Sequence, residues 1–170
     1  MNTIDETEAD LLDRVAARVL WLAVRMVDAA NTDHGRKDDI KVGGHQASSA
    51  SMVSLMTALW FRHLRQADRV AVKPHASPVF HSIQYLLGNL DRSYLTRLRE
   101  FGGLQAYPSR TKDPDIVDFS TGSVGLGASA PLFAGLVRRY VDAHFGARPE
   151  SRFIALIGDD MHRALGPKAF

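Results

Sequence analysis

Apolar residues recur at helical spacing in several segments of the chain. Between residues 8 and 30, Leu12, Val15, Val19, Leu22 and Met26 fall on one face of a helix. A second predicted helix begins at the serine cluster of residues 48–51 and presents Met52, Leu55, Met56, Leu59 and Trp60 on one face. Three more are predicted, one through Phe80, Ile83, Leu86 and Leu87, a short one through Leu95 and Leu98, and one over residues 124–145. The methionine-rich face of the second helix is most simply core.

Two short apolar runs, residues 69–73 and 152–157, have the length of strands. Because helices separate them, we expect the two strands to be parallel members of one sheet. Two strands are few for a parallel sheet, which is normally covered on both faces. The predicted fold class is therefore α/β, helix-rich, with a partial doubly wound parallel sheet. We expect residues 1–170 to form a single incomplete domain, in which residues 161–170 are an atypical tail.

The composition excludes several classes of protein. The chain has 170 residues, of which 45% are apolar and 24% charged, and its net charge is +2, as in ordinary soluble globular domains. No dense basic block predicts a nucleic-acid partner, and the absence of cysteine excludes disulfides and thiolate metal sites. The acidic first ten residues lack the apolar core of a secretory signal, and no apolar run has membrane-spanning length. We predict a cytoplasmic protein without a membrane partner.

Candidate chemistry lies where the predicted strands end, because ligands of such sheets bind beyond the carboxyl ends of the strands. His75 follows the first strand, and Gly158 and Asp159 follow the second. Upstream of the second strand, the glycine-rich run STGSVGLGA at residues 120–128 opens a helix, so it offers exposed backbone N–H groups and a helix N-terminus. Together with the carboxylate of Asp159, this combination suits a diphosphate carried with a divalent cation.

Five short motifs occur in the order found in a known family. They are GGHQAS at residues 43–48, KPHASP at 73–78, GGLQAYP at 102–108, TGSVGLG at 121–127 and GD at 158–159. The chain thereby resembles the amino-terminal, diphosphate-binding part of thiamine-diphosphate-dependent transketolase-like enzymes, and most of all the homodimeric pyruvate dehydrogenase first component. Each motif is weak alone, but five in register are specific. The resemblance covers nearly all of residues 15–159 and implies an incomplete thiamine-diphosphate-binding fold.

The resemblance also implies roles for individual residues. Asp159 would be a Mg²⁺ ligand and Gly158 would lie against the diphosphate of thiamine diphosphate. The backbone of Gly122 and Val124 matches positions that hydrogen-bond the aminopyrimidine ring, and Gly125 is a third cofactor-binding candidate in the same run. His45 and His75 match active-site histidines, and Tyr107 matches an aromatic residue of the same cavity.

The sequence also departs from the family pattern. Asp160 and Met161 follow Asp159 where the family has a small residue and a glutamate, and the asparagine that completes the metal site is lacking. In the family the active site forms between subunits, so the resemblance implies a homodimer or a complementing chain, with a ketose or 2-oxo acid as substrate. For this chain alone we expect little or no binding of thiamine diphosphate, and a tendency to aggregate.

Other interpretations of the same residues remain open. Asp159 could cap a helix, Gly125 could allow a helix to pack closely on a strand, and Tyr107 could be core. At the level of the whole chain, the alternatives to an enzyme segment are a truncated, non-catalytic product and an interaction module. The module would bind a full-length relative through a helix face such as residues 52–60.

Overall fold

Helices dominate the computed structural model, which describes residues 6–32 and 43–158. The helices are α1 (Glu6–Thr32), α2 (Gln46–Ala50), α3 (Val53–Ala58), α4 (Ser77–Leu86) and α5 (Leu126–Phe145), the strands are β1 (Arg69–Ala71) and β2 (Phe153–Ala155), a π-helical turn covers Leu59–His63, and 3-10 turns cover Pro74–Ala76 and Arg92–Thr96. No helix within these ranges is both long and apolar enough to cross a bilayer.

The two strands pair in parallel, as the sequence predicts. Val70 lies opposite Ile154 in the ladder, and the described part of the sheet contains these two strands. Both strands are shorter than predicted. The first ends at Ala71, and Val72 and Lys73 connect it to the 3-10 turn that begins at Pro74. The helix-rich α/β class is confirmed, while the doubly wound arrangement stays a prediction.

A buried carboxylate fastens the amino ends of the two strands to each other. Asp68, one residue before β1, accepts hydrogen bonds from the backbone N–H of Arg152 at 2.8 Å and from its guanidinium nitrogens Nε and Nη2 at 3.0 and 2.6 Å. The backbone N–H of Arg65 also donates to Asp68, at 2.9 Å. These bonds hold the pKa of the Asp68 carboxyl well below its usual range, although burial opposes the shift.

The second predicted helix is divided into α2, α3 and the π-helical turn. The division falls at Ser51 and Met52, where the Ser51 hydroxyl donates to the carbonyl of Ser48 at 2.9 Å. Serine side chains that bond nearby carbonyls compete with helix continuation. The interpretation of the methionine-rich face as core is confirmed, since Met52 and Met56 are buried. Met52 and Met56 are therefore not available to a docking surface on residues 52–60, whereas Leu55 on the same predicted face is 51% exposed.

The core consists of two neighbouring clusters, and α1 contributes to both of them. The larger one joins α1, α3, α4 and the strands through Val19, Ala23, Met52, Val53, Met56, Val70, Val72, Ala76, Val79, Phe80, Ile83, Val117 and Leu156. The smaller one contains Met26, Val27, Ala30, Leu90, Leu98 and Leu104. Helix α1 packs against α3 and α4, whereas α5 packs against β1 and β2.

Candidate functional site

Two predicted site histidines stack on each other just beyond the carboxyl end of β1. His75 lies in the 3-10 turn that follows the strand, and His45 immediately precedes α2. Their ring centroids are 4.0 Å apart, with an angle of 22° between the ring planes. The hydroxyl of Ser49 in α2 donates to the backbone carbonyl of His75 at 3.2 Å. This bond couples the two short elements that carry the imidazoles.

His45 is placed by a close approach of the preceding glycines to α1. Gly44 has a φ of +143°, and a Cβ atom there would lie 2.5 Å from Cγ1 of Val27, so only glycine fits. Its neighbour Gly43 exchanges two hydrogen bonds with the side chain of Asn31, one at 3.0 Å from its N–H and one at 3.3 Å to its carbonyl. The end of α1 therefore anchors the turn that leads into His45.

Tyr107 completes a group of three rings. Its ring centroid lies 6.0 Å from that of His75. Tyr107 is 42% exposed and also lines an open cavity of about 720 Å³. Arg99 and Lys112 line the same cavity. Glu100 lines it as well, so the cavity carries two cationic side chains and one carboxylate, a balance that favours an anionic ligand.

The carboxyl ends of the two strands meet at Lys73 and Gly158. A Cβ atom on Gly158 would lie 2.8 Å from Cε and 3.1 Å from Nζ of Lys73, so the lysine side chain lies directly against the glycine. Gly158 thus lies beside the residue that precedes the turn of His75. The predicted metal ligand Asp159 lies outside the described residues.

Helix α5 runs antiparallel to β2. Arg138, in the second half of the helix, donates to the hydroxyl of Ser151 before the strand at 2.8 Å. Nearer the helix N-terminus, a Cβ atom on Gly135 would be 3.8 Å from the ring of Phe153, the first residue of β2. The N-terminus of α5 therefore lies toward the carboxyl end of β2.

The glycine-rich run consequently lies toward the strand edge that also carries Gly158. The helix rises about 14 Å over the nine residues from 135 to 126, close to the roughly 16 Å that extended chain covers over residues 153–158. Gly122 and Gly125 have φ values of +57° and +88°, and no atom outside the local backbone and the adjacent residues lies within 4 Å of where their Cβ atoms would be. Val124 is 78% exposed. The backbone of this run is accessible at the start of α5.

Of the predicted site residues, the structure brings His45, His75 and Tyr107 into one group. Gly158 lies at the same edge of the sheet, and the glycine-rich run lies toward it. The roles that the resemblance implies for these residues, and for Asp159, stay predictions.

A buried group of polar residues was missed from the sequence. His81 in α4 is fully buried, and its Nδ1 lies 2.6 Å from Oδ2 of Asp115. Its Nε2 lies 3.1 Å from the carbonyl oxygen of Gln105. Asp113 stands on the same side, 4.0 Å from Nε2. The only sequence signal was a pair of aspartates in a polar segment, and nothing in the pattern connects that segment to a histidine 34 residues earlier.

Burial and charge act in opposite directions on this group. Burial lowers the pKa of His81, but the hydrogen bond and charge of Asp115, the charge of Asp113 and the Gln105 carbonyl outweigh it, so the pKa is raised. For Asp113, burial raises the pKa despite the nearby imidazole and two backbone N–H groups. The geometry favours an imidazolium held between oxygen acceptors.

Comparison with known proteins gives the chain a set of relatives. No protein-family model matches it. It is 29% identical over 163 residues to the pyruvate dehydrogenase E1 component of Cupriavidus necator, a match that covers 89% of the chain and 17% of that protein. The E1 component of Mycobacterium tuberculosis is 29% identical over 179 residues, with 89% and 19% covered. The E1 component of Escherichia coli is 28% identical over 162 residues, with 88% and 18% covered.

The chain is related to pyruvate dehydrogenase E1 components. It spans less than a fifth of the length of the E1 components that it matches, which are covered to 17–19%. The similarity confirms the pyruvate dehydrogenase side of the resemblance found in the sequence.

Proposed function

We propose that the chain is the amino-terminal, diphosphate-binding segment of a thiamine-diphosphate- and Mg²⁺-dependent 2-oxo-acid dehydrogenase. The observation that carries the proposal is the stacking of His45 on His75, with Tyr107 beside them, just beyond β1. The relatives are named pyruvate dehydrogenase E1 component, which favours pyruvate or another small 2-oxo acid over a ketose.

The two imidazoles are the groups suited to proton transfer and substrate orientation. A charged imidazole donates to a carboxylate or carbonyl oxygen, and a neutral one accepts a proton. The Ser49 bond to the His75 backbone limits the freedom of the pair to separate. The cavity beside Tyr107 has an excess of positive charge, from Arg99 and Lys112 against Glu100, which favours an anionic 2-oxo acid.

The residues at the strand edge fit a diphosphate cofactor. Gly122 and Gly125 leave open space beside an accessible backbone at the start of α5, where N–H groups favour anions. Gly158 lies against the ammonium-bearing side chain of Lys73, so a phosphate there would meet a cation. We assign Asp159 as the Mg²⁺ ligand from the resemblance of the Gly158–Asp159 motif, and its chemistry fits, because carboxylates hold Mg²⁺ with phosphate oxygens and water. When bound, thiamine diphosphate would supply the carbon nucleophile that 2-oxo-acid chemistry requires, and the residues of this chain would hold and orient it.

The proposal includes a partner, either a second copy or a complementing chain that completes the site. For the isolated chain we therefore expect calorimetric titration with thiamine diphosphate and Mg²⁺ to show no binding at micromolar concentrations. Micromolar binding that Asp159→Ala abolishes would show instead that the segment holds the cofactor by itself.

A chimera tests the catalytic part of the proposal. Residues of this chain would replace the matching segment of the E. coli E1 component, and pyruvate-dependent reduction of an artificial electron acceptor would be measured. We expect an active chimera whose rate falls at least about 100-fold on His75→Ala, the usual effect of losing a general acid or base. His63→Ala, at an exposed histidine of the π-helical turn, is the matched control. Equal activity of the two variants would refute the role of His75.

An interaction module is the second candidate, and one observation favours it. Helix α5 exposes several large apolar side chains, among them Phe133 at 62% and Val137 at 61%. Such a surface is suited to contact with another protein. The chimera separates the two candidates, because a module without catalytic groups would not support pyruvate oxidation.

A further inference from the structure

The fully buried His81 has an acceptor for each of its ring nitrogens. Nδ1 lies 2.6 Å from Asp115 Oδ2, and Nε2 lies 3.1 Å from the carbonyl of Gln105. With oxygen acceptors on both sides, the ring is held as a double donor. His81 therefore connects helix α4 to two points of the segment between the 3-10 turn of residues 92–96 and α5.

Asp113 holds the same segment from the other side. Its Oδ1 accepts the backbone N–H of Gln105, and its Oδ2 accepts that of Ser109, both at 2.7 Å. These two donors enclose a five-residue turn, and the central residue of that turn is Tyr107. His81 bonds the carbonyl of Gln105, and Asp113 accepts the N–H of the same residue. The first residue of the turn is therefore fixed at both of its backbone polar groups.

Helix α4 connects this turn to His75. It lies six residues before His81, in the 3-10 turn that continues directly into α4. Residues 76–84 of this segment are buried, so His75 and His81 are parts of one tightly packed element. Helix α4 thus carries His75 at its start and a buried clamp on the Tyr107 turn further along.

A divalent cation is the competing explanation of the cluster. One ligand atom from each of His81, Asp113 and Asp115 lies within 4.8 Å of the others, and Asp115 Oδ1 is buried without a hydrogen-bond partner. However, both imidazole nitrogens already face oxygen acceptors, and both oxygens of Asp113 already accept N–H groups. A metal would displace bonds at two of its three ligands, so the arrangement favours a hydrogen-bonded clamp.

We propose that His81, acting with Asp113 and Asp115, is a positioning residue that holds Tyr107 against His75. Its consequence for catalysis rests on the function proposed above, whereas the positioning itself is a property of the chain alone. The proposal can therefore be tested without cofactor or substrate.

The test compares the His75 ring in four variants of the full chain by NMR. Tyr107→Ala defines the change in the His75 ring signals when the tyrosine ring is removed. We expect His81→Gln to abolish the cross-relaxation between the Tyr107 and His75 rings and to shift the His75 signals toward those of Tyr107→Ala. The double variant should add no further shift, since both changes remove the same contact. His63→Gln, at an exposed histidine, should leave the contact unchanged.

A second variant covers the case in which His81→Gln does not fold. Asp113→Asn keeps one acceptor oxygen and leaves the His81–Asp115 contact intact, but it loses the acceptor for the N–H group at one end of the turn. We therefore expect it to weaken the contact between the Tyr107 and His75 rings only partly. An intact Tyr107–His75 contact in every folded variant would overturn the proposal. So would stoichiometric binding of Zn²⁺ to the wild-type chain that His81→Gln removes. If the chimera is inactive while the ring contact still depends on His81, the function fails and the positioning stands.

Discussion

Helices α4 and α5 are both rich in apolar residues, but within residues 6–32 and 43–158 only α4 is covered by its neighbours. In α4 every residue from 77 to 84 is buried, whereas in α5 the buried residues are Gly127 and Pro131. The large apolar side chains that α5 leaves exposed are Leu126, Leu132, Phe133, Leu136, Val137, Tyr140 and Phe145. Hydrophobic periodicity thus indicates that a helix has apolar residues to bury, but not what buries them.

The difference comes from the neighbours of each helix. Helix α4 lies among α1, α2 and α3, while α5 rests on β1 and β2. The small two-stranded sheet covers little of a 20-residue helix. The stability of the chain should therefore depend on the α1–α4 side, and its tendency to associate should depend on α5.

The largest expected effect is the loss of a core side chain from α4. Ile83 is fully buried in the larger cluster, so Ile83→Ala should lower the free energy of unfolding by about 4 kcal/mol through lost burial and a residual cavity. Leu136→Ala, at a 52% exposed position of α5, should change it by less than about 0.5 kcal/mol. Urea unfolding of both variants measures the contrast, and equal losses would show that α5 is as well packed as α4.

The buried pair of His81 and Asp115 should have the next largest effect. Asp115→Asn leaves the imidazolium without its carboxylate and should lower the stability by about 3 kcal/mol near pH 6. On α5, the part-exposed Arg138–Asp142 pair is the comparison, and Asp142→Asn should cost less than about 1 kcal/mol. Thermal unfolding at low salt measures both.

The pH dependence of the free energy of unfolding is a second test of the His81–Asp115 pair. The folded pKa of His81 is raised above the ordinary value of 6.5, chiefly by Asp115 and Asp113 against the effect of burial. The stabilisation is then complete below about pH 6.5 and is lost as the pH rises through the folded pKa. Asp115→Asn should flatten this decline, and an unchanged pH profile would contradict a charged His81.

The elements that sequence analysis predicted best are those whose signals are local. The apolar spacing of α1 and the proline after β1 act on neighbouring residues, so the pattern alone places them. The proximity of His45 and His75 was expected from the resemblance, and the structure stacks their rings, while their role as site residues stays a prediction. The remaining site residues follow from resemblance, and their roles need the experiments above.

What sequence analysis missed depends on contacts between distant residues. His81 and Asp115 meet because the fold brings α4 and the following long segment together, and no periodicity joins residues 34 positions apart. The break between α2 and α3 has a local cause, a serine hydroxyl bonded to a nearby carbonyl, whereas the sequence pattern predicts that one helix begins at these serines. Polar residues that bond locally have several possible partners, and packing selects among them.

Substitution of Asp68, at the amino ends of the strands, should have an intermediate effect on the free energy of unfolding. Asp68→Asn places an amide where the carboxylate accepted bonds from Arg152 and should cost about 2 kcal/mol at pH 7. Because the folded pKa of Asp68 is lowered, its stabilisation is present above about pH 4 and is lost as the pH falls toward the folded pKa. The difference from wild type should therefore shrink in acid. Asp10→Asn, on an exposed residue of α1, is the control.

The smallest effect on stability, but a visible effect on association, is expected on α5. Leu136→Glu should change the free energy of unfolding by less than about 0.5 kcal/mol, because the side chain is 52% exposed. It should nevertheless reduce concentration-dependent association in sedimentation experiments, since it places a charge within the apolar face of α5. Leu11→Glu is a matched control, because Leu11 is a 57% exposed leucine on α1, whose inner face is already covered. If both substitutions reduce association equally, general charge repulsion explains the result. If only Leu136→Glu does so, the association is localised to the exposed apolar face of α5. A monodisperse wild-type chain would contradict the expected aggregation.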